Sequence, residues 1–166
     1  MKPTQGDWGW FAGLVDGDGC ISIGSRNGRY YNTAIIVVNK KPENILKLMR
    51  LFGGGLGKTV RKASSSYVNG QYYRWTLTGT DEVLNALEQS LPHMAEKHEK
   101  AKLAIQLCRF QNEYRSLHTY KRPPELFAKM ELIYRAALSE TNVVNECNVA
   151  EVRKERPIQG LDRIGG

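Results

Sequence analysis

With 166 residues, 24 basic against 17 acidic side chains and a formal net charge of +7, the chain is sized for one domain with a sizeable apolar core and suits a polyanionic partner. No apolar run approaches the length of a membrane span, and the start Met1-Lys2-Pro3-Thr4 lacks the basic-then-apolar order of a signal peptide, so a soluble, intracellular protein is expected, in bacterial cytoplasm or an organelle lumen. Cys20, Cys108 and Cys147 are odd in number and never form a Cys-x-x-Cys pair, and His93, His98 and His118 are equally scattered, which argues against a disulfide framework and a zinc site.

Trp8, Phe11, Leu14 and Val15 recur at helical spacing behind Asp7, which is placed to cap a short apolar helix. Asp16-Gly17-Asp18-Gly19 has turn composition, and Cys20 to Arg26 alternates with period two as a strand. Asn27-Gly28 reads as a hairpin turn into a second strand, Tyr30 to Val38. Pro42 opens a helix with Ile45, Leu48, Met49 and Phe52 on one face, stopped by Gly53-Gly54-Gly55 and a flexible connection. Lys58 to Ser64 and Tyr72 to Thr78 form another strand pair around Asn69-Gly70, followed by helices over Asp81 to Leu91, Ala95 to Gln111 and Glu125 to Leu138. This order predicts an α+β domain over residues 1–138, with a polar tail over 139–166.

Gly9, Gly13 and Gly17 fall four apart and line one side of the first helix, with Ala12 beside them. Each interior glycine costs a helix about 0.5–1 kcal/mol against alanine, and close approach of another helix compensates that cost. The chain holds one such helix, so its partner is the copy in a second subunit across a two-fold axis, with Gly9, Ala12 and Gly13 at the interface. Pairing brings two partially negative helix ends and two Asp18 carboxylates together, a conflict that divalent cations resolve. Mg²⁺ suits a site made of the Asp18 carboxylate, a main-chain carbonyl such as that of Gly17, and substrate phosphate. Phosphodiester hydrolysis is the reaction that fits.

Two other motifs fail. An EF-hand loop read through Asp16-x-Asp18-Gly19 puts Leu14 and Ser25 where carboxylates are needed. A P-loop read through Gly57-Lys58-Thr59 needs glycine at Phe52 and leaves a strand for a helix, the reverse of the order here.

The run Trp10-Phe11-Ala12-Gly13-Leu14-Val15-Asp16-Gly17-Asp18-Gly19 resembles the LAGLIDADG signature of homing endonucleases, with Phe11 in the leading Leu position and one motif per chain, as in the homodimeric members. The resemblance covers Trp8 to about Leu138 and implies an αββαββα fold with two hairpins forming a DNA-binding saddle and extra C-terminal helices. It implies metal at Asp18 and the Gly17 carbonyl, with Mg²⁺ or Mn²⁺ as cofactor and Ca²⁺ as a non-catalytic substitute. Asp16 is left to cap or brace the turn. Asn39 stands where such enzymes keep a polar amide, commonly the longer Gln, to order the attacking water, and Lys97 stands where they place a lysine that supplies positive charge. Glu43 departs from the basic residue often found early in the second helix, and Lys40 or Lys41 is its substitute.

Two-stranded ribbons fit the major groove. With Ile21 and Ile23 facing the core, Ser22, Gly24 and Arg26 face DNA; with Trp75 and Leu77 inward, Arg74 and Thr76 point outward. Arg61 is preferred on the third strand because Val60 reads as core, and Tyr30 and Asn32 are base or sugar contacts on the second. The resemblance therefore implies a site-specific endonuclease that cuts both strands of a long pseudo-palindromic double-stranded DNA and promotes intron mobility. The alternative is an RNA maturase or a non-cleaving DNA-binding protein on the same fold, with RNA the second-ranked partner and no membrane partner.

Overall fold

A computed structural model describes residues 2–61, 70–117 and 121–154, with side chains described except at 58–61 and 141–154. The Ser64 end of the third predicted strand, Asn69, His118, the Cys147 side chain and residues 155–166 lie outside that description.

The first helix, α1 (Gln5–Asp18), is longer than expected at both ends. Thr4 is its N-cap: Asp7 N–H donates to Thr4 Oγ1 at 3.3 Å, and Thr4 N–H donates to Asp7 Oδ2 at 3.0 Å, so Asp7 closes a capping box from within the first turn. The backbone hydrogen bond from Thr4 is the first cause holding the Asp7 carboxyl below its usual range. At the other end the Asp-Gly-Asp sequence is helical through Asp18 rather than a turn. Gly19 ends the helix, donating its N–H to the Val15 carbonyl, and a Cβ there would lie 2.7 Å from Val15 Cα. No larger residue fits so tight an exit into the first strand.

That strand, β1 (Gly19–Arg26), pairs antiparallel with β2 (Tyr30–Asn39) through the Asn27-Gly28 turn, where both residues have positive φ (58° and 62°). Helix α2 (Pro42–Phe52) leads to β3 (Gly55–Arg61) and β4 (Gly70–Leu77), and the sheet order is β1-β2-β4-β3. The triple glycine between α2 and β3 is a pinned turn, correcting the flexible connection expected. Trp75 Nε1–H donates to the Gly53 carbonyl at 2.7 Å, and at Gly54 (φ +84°) a Cβ would sit 2.7 Å from the Thr76 carbonyl oxygen. Strand β3 consequently starts at Gly55, three residues before the predicted Lys58.

Helix α3 (Thr80–Ser90) and a 3₁₀ turn over Leu91–His93 precede α4 (His98–Glu113), which begins three residues later than predicted because Lys97 is its N-cap. The last helix, α5 (Pro124–Lys154), runs sixteen residues past the predicted end at Leu138. All five helices lie against one face of the sheet. Ile21, Ile35, Val37 and Trp75 from the strands form one core with Phe11, Val15, Leu48, Leu87, Leu107 and Met130 from the helices. Phe11 is fully buried between Phe52 and Trp75, with ring centroids 4.7 and 6.1 Å away. Loss of such a ring costs about 3–5 kcal/mol. Among the described residues no helix is long and apolar enough to cross a membrane.

Candidate active site and nucleic-acid interface

Gly19 turns the chain so sharply that Asp18, the last residue of α1, stands exposed at the root of β1. Strand β2 runs back past that point and ends at Asn39, whose Nδ2 donates to Asp18 Oδ2 at 2.6 Å. The amide is oriented from its other side, because Asn39 Oδ1 accepts the Lys41 N–H at 2.8 Å. A sequence separation of 21 residues thus closes onto one carboxylate oxygen, while Asp18 Oδ1 has no protein partner among the described residues. The structure places Asn39 on the carboxylate itself.

Asp16 does brace, but across to another element. Its Oδ2 accepts the Ala95 N–H at 2.7 Å and its Oδ1 accepts the Lys97 N–H at 3.0 Å, so it satisfies main-chain donors at the entrance of α4. Lys97 returns the contact, its ammonium Nζ donating to the Asp16 main-chain carbonyl. A positive charge is thereby fixed at the negative end of the α1 dipole, two residues from Asp18. Nothing in local spacing signals this clasp, which links residues 81 apart.

The donor set can be tested against a divalent metal. Among the described residues no group of three or more His, Cys, Asp or Glu side chains gathers into a cage. The chain offers instead one exposed carboxylate with a free oxygen and, at Gly17, a carbonyl in the last turn, where α-helical acceptors lack intrahelical donors. Oxygen-only, incomplete coordination of this kind fits a hard cation that keeps waters and takes further ligands from a phosphate.

The glycine side of α1 divides the interface residues. Gly13 and Gly17 are exposed, Gly9 is half-buried, and a Cβ at any of the three would meet nothing within 4 Å. Ala12 is corrected: it is fully buried in the chain's own core, so its methyl has no surface left for a second copy. Trp10 and Leu14 are the half-buried apolar neighbours that complete the open face.

The sheet face opposite the helices carries the remaining candidates. Cross-strand pairs put Ser22 beside Ala34, Gly24 beside Asn32 and Arg26 beside Tyr30. Gly24 contributes by its lack of a side chain, because a Cβ would lie 2.5 Å from Asn32 Oδ1. Tyr30, at 57% exposure, Asn32, Arg26 and Arg74 are open, and Ser22 and Thr76 are half-buried. Lys40 Nζ lies 5.3 Å from the ring centroid of Tyr72, and Lys41 is exposed as the N-cap of α2. Arg61 pairs with Gly70 at the end of β3; its side chain lies outside the described residues. Glu43 occupies the first turn of α2, where a carboxylate complements the helix dipole.

Sequence reading missed three features here: the tie from Asp16 to Ala95, the ring of Tyr72 under Lys40, and the outward side chains of Ile36 and Val38. The last follow from carrying the alternation of Tyr30 and Asn32 to the end of the strand.

No family model and no curated protein matches the chain. Solved structures do. The homing endonuclease I-CvuI in complex with its target, in the presence of Ca, aligns at a TM-score of 0.51 and 23% identity over 78% of this chain and 82% of that one. The archaeal intron-encoded homing endonuclease I-Vdi141I, complexed with DNA, aligns at 0.52 and 14% identity over 76% of this chain and 82% of that one. The LAGLIDADG homing endonuclease I-GzeII, in complex with its DNA target, aligns at 0.55 and 14% identity over 75% of this chain and 41% of that one. A four-stranded sheet ordered β1-β2-β4-β3, with its helices on one face and α1 ending at its edge, is common ground enough to conclude that this chain has the LAGLIDADG homing-endonuclease fold.

Proposed function

We propose that two copies of the chain pair along the glycine face of α1 and cut both strands of a long, partly palindromic double-stranded DNA site by divalent-metal-dependent phosphodiester hydrolysis. The observation that carries this reading is the exposed Asp18 carboxylate, gripped at one oxygen by Asn39, with the Lys97 ammonium bound to the Asp16 carbonyl two residues before it, at the point where α1 meets the sheet. The DNA held by the similar structures, and the net charge of +7 here, support the same partner.

In this reading Asp18 and the Gly17 carbonyl hold Mg²⁺ or Mn²⁺, with Ca²⁺ an inactive substitute. A bound divalent ion supplies Lewis acidity, activating water and neutralising charge that builds on the phosphate. The residues of the chain do the rest. Asn39 keeps the carboxylate in one orientation, and its amide is in reach of water at the site. Lys97 offers a cation to the reacting phosphate, and Asp16 fixes where that cation stands. Arg26, Arg74, Lys40 and Lys41 neutralise backbone phosphates, Asn32, Tyr30, Ser22 and Thr76 face base edges, and Arg61 extends the surface along β3. Two subunits give two half-sites and two cuts, and a break at one defined site is what promotes copying of a mobile intron.

Incubation of the protein with Mg²⁺ and a randomised duplex library, followed by sequencing of the ends, tests the reading. Paired cuts at one recurring, two-fold-related sequence are expected; an uncut library, or ends at random positions, contradicts it.

A further inference from the structure

We infer that Ile36 and Val38 form an apolar reading strip on the DNA-facing side of the sheet, and that it recognises the C5-methyl groups of thymines in the base pairs next to the cut. The inference rests on the proposed endonuclease function and specifies its substrate.

Strand β2 alternates from Ile35 to Val38, after a buried run over Thr33, Ala34 and Ile35. Tyr31, Ile35 and Val37 point into the core shared with the helices, whereas Ile36 and Val38 lie on the other side and take no part in that core. Ile36 and Val38 are half-buried, so two β-branched side chains remain open to solvent on a face otherwise furnished with Arg26, Asn32 and Arg74. Burying such groups against a partner is worth about 0.8 kcal/mol per methyl or methylene.

Position identifies the partner. Register sets Ile36 between Cys20 on β1 and Thr76 on β4, and Val38 beside Arg74. Cys20 is two residues beyond Asp18, and Val38 immediately precedes Asn39, which bonds that carboxylate. At about 3.3 Å per residue the strip lies within roughly 10 Å of the carboxylate's partner, the length of about three base-pair steps. Arginine on the same rows supplies the positive charge that draws a phosphate backbone over this face, so the occupant is duplex DNA. In the major groove the only apolar group on a base edge is the thymine methyl, and aliphatic side chains read it by contact. The outer rows, with Asn32 and Arg26, carry hydrogen-bonding groups and read the more distant pairs.

The test uses the recurring sequence recovered from the randomised library by protein binding in Ca²⁺ and by cleavage in Mg²⁺. Thymine is expected at one or two centre-proximal positions of each half-site. Replacing each by deoxyuridine removes the methyl and leaves base pairing unchanged, and should weaken wild-type binding about fourfold per methyl. An Ile36→Ala variant should bind thymine and deoxyuridine targets more nearly alike, and Ile36→Gln should shift the preference towards adenine. Recovered sites without central thymine, or equal binding of thymine and deoxyuridine targets by the wild-type protein, overturn the inference while leaving the endonuclease reading intact. Binding without cleavage removes the endonuclease reading alone, since discrimination of the methyl is still measured. A library from which no sequence is retained defeats both.

Discussion

Asn39 Nδ2 stands 2.6 Å from Asp18 Oδ2, joining the end of a strand to the end of a helix, and the same amide accepts a main-chain N–H from Lys41. Its orientation is fixed from both sides, so the carboxylate presents one oxygen outward. Asn39→Ala releases the held oxygen, Asp18 Oδ2, and leaves the fold in place, because the amide is on the surface. Single-turnover cleavage across a Mg²⁺ titration should show activity or metal affinity reduced about 10- to 100-fold. An unchanged titration contradicts the positioning role.

Asp16 satisfies two main-chain N–H groups, at Ala95 and Lys97, and removing it leaves both without their partner. Asp16→Ala is expected to lower stability by about 1 kcal/mol or more in urea unfolding, and to slow cleavage by freeing Lys97. Lys97→Met separates the two effects. It should slow cleavage with a smaller loss of stability, since the Asp16 carboxylate still caps the loop.

The open glycine face makes a prediction that runs against the usual effect of replacing glycine. Gly13 is exposed and nothing lies within 4 Å of an added Cβ, so Gly13→Leu leaves the protomer's own packing intact and improves helix propensity by up to about 1 kcal/mol. It should nevertheless shift sedimentation from dimer to monomer by forcing two helices apart. A variant that stays dimeric places the subunit contact elsewhere.

Cys108 is fully buried and shares a 3.0 Å hydrogen bond with Thr33, whereas Cys20 is exposed on the sheet. Burial is the first cause pushing the Cys108 thiol up from its ordinary value, with the Thr33 contact opposing it. The folded chain therefore holds a proton that the unfolded chain releases at lower pH. Stability from this group is complete below the unfolded pKa and is lost as pH rises through the folded one. Iodoacetamide at neutral pH should label Cys20 and spare Cys108 in the folded protein. Midpoints of urea unfolding should fall on the alkaline side of the thiol range, and a Cys108→Ala variant should lose that alkaline slope.

Much of the architecture is legible in the chain because its signals are local. Asn27-Gly28 fixes a hairpin, Pro42 opens a helix, and Ile21 and Ile23 declare which side of β1 is inward. Boundaries fail where tertiary contacts outweigh propensity. Asp16, Gly17 and Asp18 are poor helix formers, yet α1 continues through them because Asp16 is held from α4 and Gly19 alone can make the exit. Ala12 reads as a neighbour of the glycine stripe, but it falls on the inward side of α1, beside Trp8, Phe11 and Val15. At the site, Asp18 is visible from its motif. Contacts that orient the site, from Asn39 to Asp18 and from Lys97 to Asp16, join residues 21 and 81 positions apart, and no pattern of spacing encodes them.

The Asp18→Asn protein asks whether this carboxylate is where the phosphodiester is broken. The substitution keeps the shape of the side chain and removes its charge at an exposed position, so folding, dimerisation and DNA binding should persist. Cleavage of the recovered target in Mg²⁺, followed beside the wild-type protein, should fall to background. Cleavage at the wild-type rate would mean that the carboxylate at the end of α1 is not where the phosphodiester is broken.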